Sequence, residues 1–421
     1  MKEKKMSEPR LSGLNDEQDV GKSKILKSSN HANPDSDNRK EGWEIKRLDD
    51  ACEVEYGTRV VQKRDGGIIY PVYGGGGATF FMDTFNREDC LVVARFAMSA
   101  QCTRFVEGKF FLNDSGLTVR PKNEKELLPD FLNLQILFLN DHIYSLSRGT
   151  AQRNLDVPAF RNIQIAFPKS LPEQQRIVSI LDEAFSVIER SRNNAEQNLK
   201  NAKELFESYL QGVFEKLFEE RETKTISEVA KVIGGYSFKS GDFKKEGKYQ
   251  VIRMGNVRPG IIRENESPVF IDEMEEKALS KALLIPKDVI ITQTGTKNKR
   301  DYGFTVIIEK ENYLLNQRIA AIRFKKDYLP EFFLYFSWTN IFKDQYFANE
   351  TGTVGQGNVG IGAITDSQVP SIPLKEQQTI VRQLDALRAE AQKLEAVYQK
   401  KLYDLEELKK SVLRKAFAGE L

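Results

Sequence analysis

Ten polar side chains fall in segments where their types suit contact with nucleic acid. Lys297, Lys299 and Arg300 sit in the stretch Thr294 to Tyr302, directly after a short apolar run. Arg95 and Arg104 occupy the corresponding region nearer the N-terminus, with Ser99 and Gln101 between them. Gln152-Arg153-Asn154 and Gln356-Gly357-Asn358 form a further pair. Arginine and lysine contact phosphates or guanine edges, and glutamine and asparagine grip adenine through two hydrogen bonds. A single charged loop is ordinarily just solvated. Recurrence at equivalent places in two halves of the chain sets these apart. Arg318 and Arg323, by contrast, read as framework residues on a strand.

Catalytic and metal chemistry find little support. The chain has two histidines, His31 and His142, so neither a histidine-based triad nor a metal cluster can be assembled. Cys52, Cys90 and Cys102 are an odd count without CxxC spacing, and read as buried thiols of a reducing cytoplasm in a bacterial or archaeal cell. No GxxxxGK[ST] loop occurs, and Gly74 to Gly77 lacks the following lysine and helix start that a phosphate cradle needs. The expected sets of catalytic residues, metal ligands and bound cofactors are therefore empty. No apolar stretch is long enough to span a bilayer, and no signal peptide is recognised. The formal net charge is +2 over 421 residues. A chain this neutral should bind duplex weakly by itself and should need a partner.

The elements that must position these loops are announced by a repeat. Leu171-Pro172-Glu173-Gln174-Gln175-Arg176-Ile177-Val178-Ser179-Ile180-Leu181-Asp182 returns 203 residues later as Leu374 to Asp385, identical at eight of twelve positions. Other anchors keep the same order: Leu112-Asn113 with Leu315-Asn316, Gly149-Thr150 with Gly352-Thr353, and more loosely Leu48 to Gly57 with Ile226 to Gly235. The repeat implies two copies of one structural unit. In each, Leu91 to Ala94 and Val289 to Thr292 read as buried strands. Ser170 with Glu173 three residues on is a helix start. Apolar residues then recur at 3-4 spacing: Val178, Leu181, Phe185, Ile188, Ala195, Leu199, Ala202, Phe206, Tyr209 and Val213. The second copy repeats this with Ile380, Leu384, Leu387, Ala391, Leu394, Tyr398, Leu405, Leu408 and Val412. That period is a coiled-coil seam. Forty-odd residues rise about 60 Å at 1.5 Å per residue.

The fold class read from these signals is α+β. Two similar mixed α/β domains are separated by two long antiparallel coiled-coil helices, in an elongated body with pseudo-twofold symmetry. The divisions are residues 1–41, a disordered tail; 42–168, the first globular domain; 169–221, a central helix; 222–370, the second globular domain; and 371–421, a C-terminal helix.

With its two Glu-Gln-Gln helix entries, Glu173 to Gln175 and Glu376 to Gln378, and its C-terminal Ser411 to Leu421, the chain from Trp43 onward resembles the specificity subunit of type I restriction-modification systems. The resemblance implies that each globular domain is a target-recognition domain reading half of a bipartite, asymmetric double-stranded DNA site. It implies that the helices fix the spacing and dock two methyltransferase subunits, and that restriction subunits join them. S-adenosylmethionine, ATP and Mg are then expected on partner subunits only, and this chain is expected to be non-catalytic. The rival reading is a coiled-coil protein–protein scaffold that reads no DNA; it leaves the duplicated polar loops unexplained.

Overall fold

The computed structural model describes residues 41–353 and 355–421. The expected tail, His31 included, lies outside the described residues except for Glu41. Two compact units are present. One runs to Glu189 and takes back Glu406–Leu421; the other is Arg190–Leu405. Each unit holds one globular segment and part of both long helices.

Four helices frame the globular segments: α1 (Pro129–Phe138), α2 (Leu171–Glu220), α3 (Pro330–Ser337) and α4 (Leu374–Ala418). In the first unit, six strands form one sheet. They are β1 (Cys52–Tyr56), β2 (Tyr70–Tyr73), β3 (Ala78–Met82), β4 (Arg87–Ala94), β5 (Thr103–Leu112) and β6 (Gly116–Pro121), in the order β1-β6-β4-β5-β2-β3. The run Leu91 to Ala94 is the end of β4 and is wholly buried, as an uninterrupted apolar strand requires. Helix α1 opens on a proline in its first turn, where the missing N–H costs nothing. Its Phe131, Leu132 and Ile136 share a core with Leu91, Val93 and Leu117.

The second unit contains β7 (Ala230–Gly234), β8 (Tyr249–Ile252), β9 (Phe270–Ile271), β10 (Val289–Thr292), β11 (Thr305–Ile307), β12 (Tyr313–Leu315) and β13 (Ile319–Phe324). Its sheets have the orders β7-β13-β10-β11 and β9-β8-β12. The first of these matches β1-β6-β4-β5. Register agrees as well: Ala94 faces Gly116 as Thr292 faces Ile319. β2 runs parallel to the end of β5, and β8 runs parallel to β12. The second unit differs in that the residues between Ile307 and Tyr313 break one long strand into two.

A glycine fixes the same corner in both sheets. A Cβ on Gly57 would stand 1.9 Å from the carbonyl oxygen of Asn113, and one on Gly235 would stand 1.8 Å from that of Asn316. No side chain fits there. The loose sequence match between the segments ending in Gly57 and Gly235 thus rests on a steric requirement.

The repeated Glu-Gln-Gln has an equally concrete role. The Gln174 amide nitrogen donates to the carbonyls of Glu126 and Pro168, both at 2.7 Å, while its oxygen accepts from the Leu128 N–H at 2.8 Å. Gln377 donates to the carbonyls of Asp327 and Ile372 at 3.1 and 2.9 Å and accepts from Leu329 at 2.8 Å. Both glutamines are buried. Each ties the start of a long helix to the entry of α1 or α3. The neighbouring Gln175 and Gln378 are exposed.

The long helices run antiparallel within each unit. In the first, Arg176 donates to the Leu421 carbonyl at 2.8 Å, and Lys409 lies 5.1 Å from the centre of the Phe185 ring. In the second, Arg221 pairs with Glu376 at 2.9 Å, while Phe206 and Asp385 both meet Tyr335 of α3. The expected seam is partly corrected. Its end positions are embedded in the globular cores: Val178 and Leu181 in the first unit, Val381 and Leu384 in the second. Between them Ala195, Ala202 and Ala391 are buried, whereas Tyr209, Leu394 and Leu408 are exposed. Burial in the helix middles thus falls on alanine rather than on the larger residues of the expected seam. Among the described residues no helix is long and apolar enough to cross a membrane.

Candidate nucleic-acid interface

The expected site residues of the first unit converge on one end of its sheet. The segment after β4 is held from two sides. The N–H groups of Arg95 and Phe96 donate to the Ser115 carbonyl at 2.8 and 3.3 Å, and the Met98 N–H donates to the Arg153 carbonyl at 2.9 Å. The Asn154 side-chain oxygen accepts from the Ala97 N–H at 3.3 Å, so this residue is committed to the framework. The Arg95 guanidinium is half-buried, stacked between Tyr56 and Phe96 with ring-centre distances of 4.9 and 4.5 Å. Arg153 lies over Tyr144 at 5.1 Å and donates to the Ser147 hydroxyl. Arg104, on β5, donates to the carbonyls of Gly75 and Gln101. Gln152 projects from an exposed loop tip. Stacked guanidinium planes lose little freedom when they meet a ligand. The arrangement is therefore pre-organised rather than floppy.

The second unit joins two loops in the same way. In the first unit the Leu155 N–H donates to the Arg95 carbonyl at 2.8 Å; in the second the Val359 N–H donates to the Gln293 carbonyl at 2.9 Å. Gly149 and Gly352 take φ of +110° and +120°, and a Cβ on either would strike the carbonyl oxygen of Gln152 or Gln356 at 2.2 or 2.1 Å. The same glycine-dependent close approach thus occurs in both units. Around it Thr294 pairs with Asn358 and Gly295 with Gly357. The Lys297 ammonium reaches the Gly352 carbonyl at 3.5 Å.

The loop's acidic groups are turned to internal use. Asp301 accepts from the Thr296 N–H and hydroxyl at 2.6 and 3.0 Å, and Tyr302, its hydroxyl pushed well up by burial, donates to Glu350. Two of the loop's three cations stay outward. Lys299 and Arg300 are exposed, with Arg300 lying over Phe347 at 4.8 Å. Arg300 also takes φ of +47°, an uncommon conformation for a residue of its size. Gln356 and Asn358 are exposed too. The structure thus brings Lys297, Lys299, Arg300, Gln356 and Asn358 into one loop cluster, and Arg95, Arg104, Gln152, Arg153 and Asn154 into the matching one.

Covalent chemistry has no foothold at the cysteines. Burial pushes the Cys52 thiol up to about 12 and the Cys102 thiol to about 11, with Cys90 raised for the same reason. Thiols so poorly ionised are weak nucleophiles. Among the described residues no group of three or more His, Cys, Asp or Glu side chains is arranged to hold a metal ion.

A family model described as "Type I restriction modification DNA specificity domain" matches residues 40–200 and again 219–402. The chain belongs to the type I DNA specificity family. Among its relatives, the Type I restriction enzyme EcoKI specificity subunit of Escherichia coli (strain K12) is 26% identical over 291 residues, which are 66% of this chain and 62% of the relative. The Type I restriction enzyme EcoBI specificity subunit of Escherichia coli is 27% identical over 199 residues, 47% of this chain and 38% of that relative. The chain thus spans less than two thirds of the length of either. A chain from a solved type I R-M system shares the fold, with a TM-score of 0.71 at 16% identity, covering 91% of this chain and 99% of that one.

In this family member two arginines that read alike in the sequence are placed differently. Arg323 is framework, as its position predicts: its guanidinium forks onto the buried Asp288 carboxylate at 2.8 and 2.7 Å. Arg318 is not. It lies one residue ahead of β13, in an exposed turn that lines a cavity of about 530 Å³ together with Gln317, Arg253 and Met254. A signal for it exists in the sequence, because Leu315-Asn316 repeats Leu112-Asn113 and so marks a shared turn.

Proposed function

We propose that this chain is the sequence-specific DNA-recognition subunit of a type I restriction-modification complex. Each unit reads one half of a bipartite, asymmetric duplex site, and the two long helices set the distance between the halves. The helices also dock two methyltransferase subunits, which restriction subunits join. Catalysis belongs to those partners, which carry S-adenosylmethionine and ATP with Mg; the recognition chain itself turns nothing over. Its place of action is the cytoplasm, where the DNA is.

One observation supports this reading above the others. The two units repeat the same strand order and the same loop-to-loop hydrogen bond, yet place different side chains on the loops: Gln152-Arg153-Asn154 in one, Gln356-Gly357-Asn358 in the other. A common scaffold with unlike polar tips suits two different half-sites. The specificity subunits among the relatives point the same way by name.

Co-expression with the neighbouring methyltransferase gene, followed by sequencing of the host's modified bases, tests the proposal. Methylated adenines in a motif of two unlike halves around an unread gap are expected. Motif-free DNA would leave the chain a protein scaffold. The purified chain alone should bind duplex weakly, gaining affinity only with the methyltransferase, because so balanced a charge releases few counterions.

A further inference from the structure

Ten of the eleven described arginines in the second unit are engaged through their side chains. Hydrogen bonds or ion pairs hold Arg192, Arg221, Arg253, Arg258, Arg263, Arg323 and Arg382, rings hold Arg300 and Arg388, and Arg190 is also partnered. The Arg318 side chain makes no such contact with the described residues and is exposed. Its backbone is nonetheless fixed. The Arg318 carbonyl accepts from the Gln293 N–H at 2.9 Å, and Gln293 is clamped in turn by its side chain to the Val359 carbonyl at 3.0 Å. An idle guanidinium on an anchored turn is poised for a ligand.

Three features bear on which ligand. The turn opens onto a cavity whose wall includes the apolar Phe238, Phe243 and Met254 beside the polar Ser240, Arg253 and Glu266, a mixed lining that admits a base as well as a phosphate. Gln317, beside it, is exposed and offers both a donor and an acceptor. Finally, the matching turn of the first unit has different chemistry. The bond from Arg95 N–H to the Ser115 carbonyl corresponds to the bond from Gln293 N–H to the Arg318 carbonyl. Ser115 therefore stands where Arg318 does, and Asp114 where Gln317 does. A phosphate contact carries no sequence information and could be the same in both units. A side chain exchanged on an unchanged turn marks the place where the half-sites diverge.

We infer that the turn Asn316–Arg318 is a base-reading element of the second unit, in which Arg318 donates two hydrogen bonds to a guanine edge in the major groove and so fixes one position of that half-site. This rests on the DNA-recognition reading above. The test is the modified-base motif of cells carrying the full chain with its methyltransferase, compared between wild type, R318A and R318K. A wild type without a bipartite motif defeats the underlying reading. Given that motif, both variants should relax one guanine position of one half-site, with the other half-site intact. In competition with base-substituted duplexes, the assembled complex should lose about 5- to 150-fold of its discrimination at that position. Lysine lacks the planar fork, so R318K should restore that position only in part. An unchanged motif in R318A, or a loss in R318A that falls equally on all sequences and that R318K restores, would overturn the inference. If R318A abolishes methylation outright, the duplex competition decides: selectivity retained at every position also overturns it.

Discussion

Gln377→Ala should destabilise the second unit by about 3–5 kcal/mol, while Gln378→Ala, the next residue, should leave it unchanged. The two glutamines are adjacent in one motif and differ only in what they touch. Gln377 satisfies one N–H and two carbonyls of the main chain, at Leu329, Asp327 and Ile372. Deleting its amide leaves these groups unpartnered at a largely buried junction, at roughly 1–3 kcal/mol each. Gln378 is exposed. Gln174→Ala should act likewise on the first unit, with Gln175→Ala neutral. Thermal unfolding of the full chain measures this: a loss of about 6–20 °C is expected for the unit carrying the change, at roughly 2–4 °C per kcal/mol for bodies of this size. Equal shifts for Gln377→Ala and Gln378→Ala would show that the clamp does not hold the helix to its domain.

The second large effect is steric. Gly235→Ala would push a methyl group to 1.8 Å from the Asn316 carbonyl oxygen, against main chain that cannot rotate away. The corner between β7 and β13 must open. The expected cost is about 3 kcal/mol, at the upper end for overpacking. The turn Asn316–Arg318 is displaced with it, so recognition by the second unit should fail at temperatures where the protein is still folded. Gly57→Ala, at 1.9 Å from the Asn113 carbonyl, should do the same to the first unit. Gly76→Ala is the control, since nothing lies within 4 Å of a Cβ there. Stability and half-site binding of the three variants, measured together, decide the matter. A tolerated Gly235→Ala would mean that the corner is plastic and that the shared glycine reflects descent alone.

Much of the fold was legible because it is written in periodic apolar residues. The two helices announce themselves through the 3-4 spacing from Val178 and Ile380 onward, and the central strands through the unbroken apolar runs of Leu91 to Ala94 and Val289 to Ile291. What periodicity cannot say is which surface an apolar residue meets. Leu394 and Leu408 have seam spacing and are exposed, whereas Ala195 and Ala391, weak signals in any apolar count, are buried. Phe206 and Phe214 pack on Tyr335 and Phe332 of the second unit, so the same helix serves two kinds of neighbour.

The candidate site was marked by repetition more than by chemistry. Gly149 with Gly352, and Asn113 with Asn316, marked equivalent loops that the structure then brought to equivalent places. Asn154 has the chemistry of a base reader, yet its side chain holds the Ala97 N–H. Arg318 has the position of a framework residue because Ile319 begins a strand immediately after it. One residue of register separates a strand position from an exposed turn, and no spacing rule resolves that difference.

If paired helices hold the two readers apart as a ruler, the length of the helices dictates the gap in the site. Inserting one heptad into α2 and the facing heptad into α4 should lengthen the separation by about 10 Å at 1.5 Å per residue. At about 3.4 Å per base pair, the unread gap in the methylated motif should widen by about three base pairs, with both half-sites unchanged. Sequencing modified adenines in cells carrying the insertion reads the gap directly. A gap of the original width, with methylation retained, would contradict the ruler.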